Sequence, residues 1–275
     1  MSSLQRHTLS PEQVGLIRAD LQKPGYGRCN KDPVTFTSSD SKTLSGAERD
    51  RIEGLAIPPA WRDVWISRND TTHILAFGTD DEGRRQYIYH PDWRAACEHA
   101  KFCDLVLFAK RLPRLRRRVR LELQKDPTTA EYAISAIVRL MDRAGLRIGN
   151  WKSPNDGAVT LTEEHIEIHG HELNLEYTAK GGKARSIELE DPFLVEAIEA
   201  LNAQPGSELF ANTTSKTEPR HVNAFIRDTM GHAFSAKDFR TWGGSVRAAR
   251  VLFEADDRVT IKAVSQAAAD WFNAD

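Results

Sequence analysis

The sequence predicts an α+β chain: a small antiparallel β-rich front and a larger, mainly helical back that carries a small sheet of its own. Three observations predict it. Trp61–Ser67, His73–Gly78 and Gln86–His90 are short runs of strand character, and the last two are joined by the polar turn Thr79–Arg84. Ile134, Ile137, Val138 and Met141 then recur at helical spacing. Beyond Asp191, the stretches Pro192–Asn202, His221–Met230, Ala236–Glu254 and Ile261–Phe272 all read as helices. The expected division is an N-terminal arm over 1–24, a β-rich domain over 25–92, a linker over 93–104 and a catalytic-type helical domain over 105–275.

The remaining elements follow in order. Ser10-Pro11-Glu12 suits a helix start, with serine as cap and proline in the first turn, so the arm is expected to be helical. Gly25–Lys42 reads as loop and strand, and Glu48–Leu55 as a short helix stopped by Gly54 and Pro58-Pro59. Trp93–Leu123 has a helical pattern that Pro113 is expected to break. Asp126-Pro127-Thr128-Thr129 opens the next helix, and Gly145 is its expected stop. Ala158–Leu161, Ile166–Ile168 and Leu173–Tyr177 read as short strands, with Ser186–Leu189 pairing back across Gly181-Gly182. Trp61 and Trp65 are expected in the front core, and Trp242 beneath whatever site the back carries.

A chain of 275 residues with 40% hydrophobic and 28% charged content can bury a full core, and suits a soluble globular protein of two domains. No run reaches transmembrane length, and the N-terminus lacks an apolar signal core. The three cysteines, Cys29, Cys97 and Cys103, follow no disulfide or metal spacing, which points to a reducing cytoplasm. His169 and His171 are too little to indicate a metal, and none is expected. Net charge is −1, but Lys101–Arg120 holds eight basic residues against the single Asp104, a local charge of +7. That run is either a polyanion-facing surface or a solvated helix face.

Three separated segments carry the chemistry-bearing cations. Leu146-Arg147-Ile148-Gly149-Asn150 supplies Arg147, and Tyr177–Lys183 tips a turn with Lys180 and Lys183. Ala236–Gly244 supplies Lys237 and Arg240. Two arginines and a lysine suit a pentavalent phosphate transition state. Paired guanidinium hydrogen bonds neutralise charge growing on the non-bridging oxygens, and an ammonium group can protonate a leaving oxygen. Singly, each residue also fits a surface ion pair or a solvated turn. The nucleophile such chemistry calls for, a tyrosine near the C-terminus, is missing: the last tyrosine is Tyr177.

LAIPPAW at Leu55–Trp61, GRRQYIYH at Gly83–His90, LRIGN at Leu146–Asn150 and AKDFRTWGG at Ala236–Gly244, taken together and in order, resemble the type IB DNA topoisomerases of the small bacterial and poxvirus kind. The resemblance runs from about Gly25 to the end. It implies a C-shaped clamp around duplex DNA, and cleavage through a 3′-phosphotyrosine without ATP, metal or any other cofactor. It implies a monomer located in the cytoplasm at the nucleoid. By resemblance Arg147 and Arg240 grip the scissile phosphate and Lys180 is the general acid, with Lys183 as its rival. Lys237 matches a DNA contact, and Gln86, Tyr87 and Tyr89 lie on a strand that enters the major groove. Asn273 is a candidate for the family's fourth phosphate ligand. Without the tyrosine, the 275-residue chain is expected to bind DNA but not cut it. A truncated enzyme and a catalytically inactive DNA-binding relative both fit. A tyrosine recombinase would share the Arg-Lys-Arg chemistry but lack LAIPPAW and the QYIYH strand.

Overall fold

The computed structural model describes residues 9–29, 35–38, 44–204, 209–212, 215–231, 234–254 and 260–272. Packing divides the chain into two compact units, one within His7–Asp104 and one comprising Leu105–Asp275.

The front unit is a five-stranded antiparallel sheet of order β2-β1-β3-β4-β5. Its strands are β1 (Tyr26–Cys29), β2 (Thr35–Ser38), β3 (Arg62–Ile66), β4 (Ile74–Thr79) and β5 (Arg85–Tyr89). One face buries Tyr26, Ile52, Val64, Ile66 and Ala76, with Trp61 and Ile88 packed against them. Ile52 comes from helix α1 (Gly46–Gly54), which opens with a capping box between Ser45 and Glu48. Among the described residues of the expected helical arm, the helix is a single 3₁₀ turn, Pro11–Val14, stopped by Gly15 in the left-handed region, and residues 1–8 lie outside the described residues. Ile17 then bridges to Thr72, so the chain is held by backbone pairing rather than by helix.

Arg28 fixes the loop of the LAIPPAW segment. Its guanidinium donates to the carbonyls of Ile57 (3.2 Å), Pro58 (2.8 Å) and Pro59 (3.0 Å), and to that of Trp61. Two prolines leave that loop short of donors but not of acceptors, and a five-donor fork suits such a row of carbonyls.

Helix α2 (Pro91–Glu122) contains the whole stretch 93–104 and runs through Pro113 without interruption. The proline removes one helical hydrogen bond, but Phe108, Leu112, Leu115 and Val119 are all buried in the helical core and hold the turns on either side. Helix α3 (Ala130–Ala144) is capped by Thr129 and ends at Gly145, as its sequence signals indicate. Next come a three-stranded meander, β6 (Ile166–His169), β7 (Glu172–Ala179) and β8 (Lys183–Glu190), and helix α4 (Pro192–Asn202). Asp191 caps α4 and, fully buried, takes a bidentate contact from Arg139 at 2.6–3.0 Å. The two-residue strands β9 (Ala211–Asn212) and β10 (Ser215–Lys216) precede α5 (Pro219–Met230), α6 (Ala236–Glu254) and α7 (Ile261–Phe272).

Ala158–Leu161 is not a strand. Ala158, Val159 and Leu161 are fully buried in a turn, which gives the same apolar run as a core strand. Trp65 also departs from expectation: it stacks on Phe77 at 5.4 Å on the face away from the apolar cluster.

Candidate active site

Arg147, Lys180, Lys183, Lys237 and Arg240 line one open cavity of about 410 Å³, together with Ala179, Arg185 and Thr241. Six of these eight side chains are cationic, and none is a carboxylate. Each cation reaches the cavity by a different local device.

Arg147 follows the stop of α3. Leu146 is fully buried and anchors the chain, which leaves its neighbour outward. The carbonyls of Arg147 and Ile148 accept from the N–H groups of Ala158 (2.8 Å) and Val159 (2.9 Å). The two segments meet at Gly149 and Gly157: a Cβ on Gly157 would lie 2.5 Å from Gly149 backbone, and Gly149 itself has φ +81°. Only glycine allows that approach.

Lys180 sits on the turn between β7 and β8, closed by Gly182 N–H donating to Ala179 carbonyl at 3.1 Å. Gly181 and Gly182 have φ of +88° and +71°, which explains the paired glycines. The turn is tied to the loop that follows Arg147. Asn155 Oδ1 accepts from Gly182 N–H at 3.2 Å, and Asp156 N–H donates to Thr178 carbonyl at 2.7 Å. Lys180 and Lys183 are both exposed and both line the cavity, so geometry puts the two lysines on equal footing.

Lys237 and Arg240 come from the first turns of α6. Asp238 accepts from the N–H of Ser235 at 2.8 Å and from its hydroxyl at 3.0 Å, and so caps the helix. Phe239, fully buried, packs edge-on to Phe108 at 5.2 Å and sets the rotation of the helix. Arg240 donates to the carbonyl of Gly145. Burial, then the neighbouring charges of Arg147 and Arg185, pull its guanidinium down to about 10 from the ordinary 12.5. Trp242 packs against the helical core beside Phe108, at 6.1 Å.

Tyr177 is the tyrosine that feels these cations. It is 7% exposed, and burial pushes its hydroxyl up while Arg185, Arg240 and Arg147 work against that. Tyr132 is buried within α3. Asn273 lies outside the described residues.

The sequence missed Arg185, Thr241 and the Asn155 tie. For Arg185 a signal existed: a charged residue two positions before Ile187 lies on the apolar face of a strand.

In the front unit, alternation along β5 sends Ile88 to the core and Tyr87 and Tyr89 to the surface, at 36% and 38% exposed. The two rings stack at 5.8 Å. Tyr87 also meets Phe77 at 6.2 Å, so Trp65, Phe77, Tyr87 and Tyr89 form one aromatic row. Gln86 is not part of it. Its amide donates to Asp80 at 2.8 Å, across the turn that joins β4 and β5.

The basic run on α2 is partly structural. Arg116 is bidentate to Asp142 (2.7 and 2.9 Å), Arg111 donates to Met230 carbonyl, and Arg118 bonds Thr229 and lies over the Phe225 ring at 4.0 Å. Those three arginines fasten α2 to α3 and α5. Among the described residues, no cluster of His, Cys, Asp and Glu could hold a metal, and no helix is long and apolar enough to cross a membrane.

Residues 90–271 match the family described as eukaryotic DNA topoisomerase I, catalytic core. Residues 35–80 match the bacterial DNA topoisomerase IB N-terminal domain. The chain is 27% identical over 226 residues to DNA topoisomerase 1B of Acanthamoeba polyphaga mimivirus, covering 78% of this chain and 67% of that one. It is 25% identical over 166 residues to DNA topoisomerase 1B of vaccinia virus, covering 54% of this chain and about half (51%) of the relative. Among solved structures, the XerH site-specific recombinase in its post-cleavage complex with difH substrate overlaps 57% of this chain and 48% of its own, at 12% identity and a TM-score of 0.38.

Proposed function

Because this chain belongs to the type IB DNA topoisomerase family, we propose that it binds duplex DNA and carries the phosphate-activating half of a supercoil-relaxing cleavage. The observation that supports this reading is the cavity that gathers Arg147, Lys180 and Arg240 from three separated segments, with no carboxylate in its lining among the described residues.

Arg147 and Arg240 bind the non-bridging oxygens of the scissile phosphate. As a tyrosine hydroxyl attacks in line, charge grows on those oxygens and the two guanidiniums stabilise it. The Arg240 bond to Gly145 carbonyl holds one guanidinium against the segment that supplies the other. Lys180 gives a proton to the departing 5′-oxygen, and Lys183 is the alternative donor on the same turn. The product is a 3′-phosphotyrosine that keeps the bond energy, so religation needs no nucleotide. Lys237 contacts the flanking backbone, and the exposed row of Tyr87 and Tyr89 offers flat rings to DNA. Gln86 joins this contact only if DNA draws its amide from Asp80.

None of the five tyrosines suits the attack: Tyr26, Tyr132 and Tyr177 are buried, and Tyr87 and Tyr89 lie in the front sheet. The test therefore supplies the hydroxyl. Residues 1–275 joined to a tyrosine-bearing C-terminal segment are expected to relax supercoiled plasmid in EDTA without ATP, and Arg147→Ala or Arg240→Ala is expected to slow this by at least ~100-fold. DNA binding without relaxation would favour a DNA-binding relative that does no cleavage.

A further inference from the structure

Strand β8 begins at Lys183, and its alternation places Arg185 and Ile187 on the side facing the core. Arg185 is only 9% exposed and lies directly across from Tyr177 in the β7–β8 register. The same side chain lines the cavity that holds Arg147 and Arg240, so three guanidiniums approach one space. Their mutual repulsion is visible at Arg240, which Arg147 and Arg185 pull down beyond the effect of burial. Among the described residues, no carboxylate lines the cavity. A dianionic group suits a space that three guanidiniums line: a phosphodiester passing to a pentavalent state gains its second negative charge there.

We propose that Arg185 is a third phosphate-binding guanidinium, contacting a non-bridging oxygen of the same phosphate that Arg147 and Arg240 receive. The proposal rests on the reading of this cavity as a DNA phosphate site. It assigns to Arg185 a contact with substrate, made from β8, while Arg147 approaches from the exposed loop and Arg240 from α6. Lys180 and Lys183, on the glycine turn, stay free to follow the leaving oxygen.

The test uses the 275-residue chain and inorganic phosphate as the probe. Phosphate affinity is measured by calorimetry for the parent chain and for Arg185→Gln, Arg185→Lys, Arg147→Ala and Arg240→Ala, with a thermal melt of each. Loss of a charge-assisted contact should weaken phosphate binding about tenfold in Arg185→Gln, comparably to the other two arginine variants, with Arg185→Lys in between. Parent-like phosphate affinity in folded Arg185→Gln would overturn the proposal and leave Arg185 a packing partner of Tyr177. If Arg185→Gln does not fold, the arginine Nε–H signals of the parent chain decide, by ¹⁵N NMR. Phosphate should shift three of them with one Kd, two being assigned by their loss in Arg147→Ala and Arg240→Ala. A shift of only those two would refute the third contact. Failure of the broader reading looks different: phosphate would bind through all three arginines while duplex DNA would not bind.

Discussion

Arg240 donates a hydrogen bond to the backbone carbonyl of Gly145, the left-handed residue that ends α3. Gly145 lies two residues before Arg147, so this bond joins the segments that carry the two arginines of the cavity. The residue proposed to bind phosphate is also a residue that builds.

That dual role separates the two arginines experimentally. Arg240→Ala leaves a carbonyl without its donor and a gap beside the core, and should cost about 1–3 kcal/mol of stability. Arg147 is exposed, and Arg147→Ala should stay within about 0.5 kcal/mol of the parent. Urea unfolding followed by tryptophan fluorescence measures both. Equal losses would mean that the Gly145 bond contributes nothing distinct.

Gly157→Ala probes the strap that holds Arg147. The new Cβ would meet Gly149 backbone at 2.5 Å, and backbone cannot swing aside as a side chain can. Overpacking of this kind costs roughly 1–3 kcal/mol or more. Phosphate or DNA binding should fall as well, because Arg147 moves with the loop. A stable Gly157→Ala chain with parent affinity would show that the loop adapts.

The sequence carried the elements whose signals are local. Thr129 and Gly145 bracket α3, Gly181-Gly182 marks the turn under Lys180, and alternation separates Ile88 from Tyr87 and Tyr89. It misled where one pattern has two physical origins. Ala158–Leu161 is apolar because it is a buried turn, and Pro113 sits in a helix whose flanking turns are held by the core. Of the site, Arg147, Lys180 and Arg240 stood out because each lies in a distinctive short motif. Arg185 did not, because the strand pattern shows in sequence only from Ser186, one residue too late to place the arginine on its inner face. The basic run on α2 was legible as charge but not as destination, since its ties to Asp142, Thr229 and Met230 are made to distant segments.

The aromatic row of the front sheet should matter more for binding than for folding. Tyr87→Ala and Tyr89→Ala remove half-exposed rings and should each shift the melting temperature by only a few degrees, the scale of about 1 kcal/mol. Each should weaken duplex binding several-fold, as expected for lost stacking or backbone contacts. Gln86→Ala, which removes a bond to Asp80, should weaken it less. The reverse order would place the groove contact on the Gln86 side of the strand.

A pH dependence follows from Glu48. The Tyr26 hydroxyl, then the Ser45 hydroxyl and N–H, hold its carboxyl down to about 2 from an ordinary 4.5. A depressed acid stabilises the fold above its unfolded value, and the contribution disappears as pH falls through the folded value. The front unit should therefore lose stability between about pH 4.5 and 2, and Glu48→Gln should flatten that part of the curve. Unfolding midpoints read from tryptophan fluorescence across this range test it. An unchanged slope in the variant would place the acid sensitivity elsewhere.

The central claim is that the cavity between Arg147, the Lys180 turn and Arg240 holds a DNA phosphate, and the salt dependence of duplex binding tests it most directly. Affinity of the 275-residue chain for a short duplex should fall by orders of magnitude between ~50 and ~200 mM salt. The Arg147→Ala, Arg240→Ala double variant should bind more weakly and give a log–log slope shallower by about two. A parent affinity that stays flat with salt, or a folded double variant with parent slope and affinity, would contradict the claim.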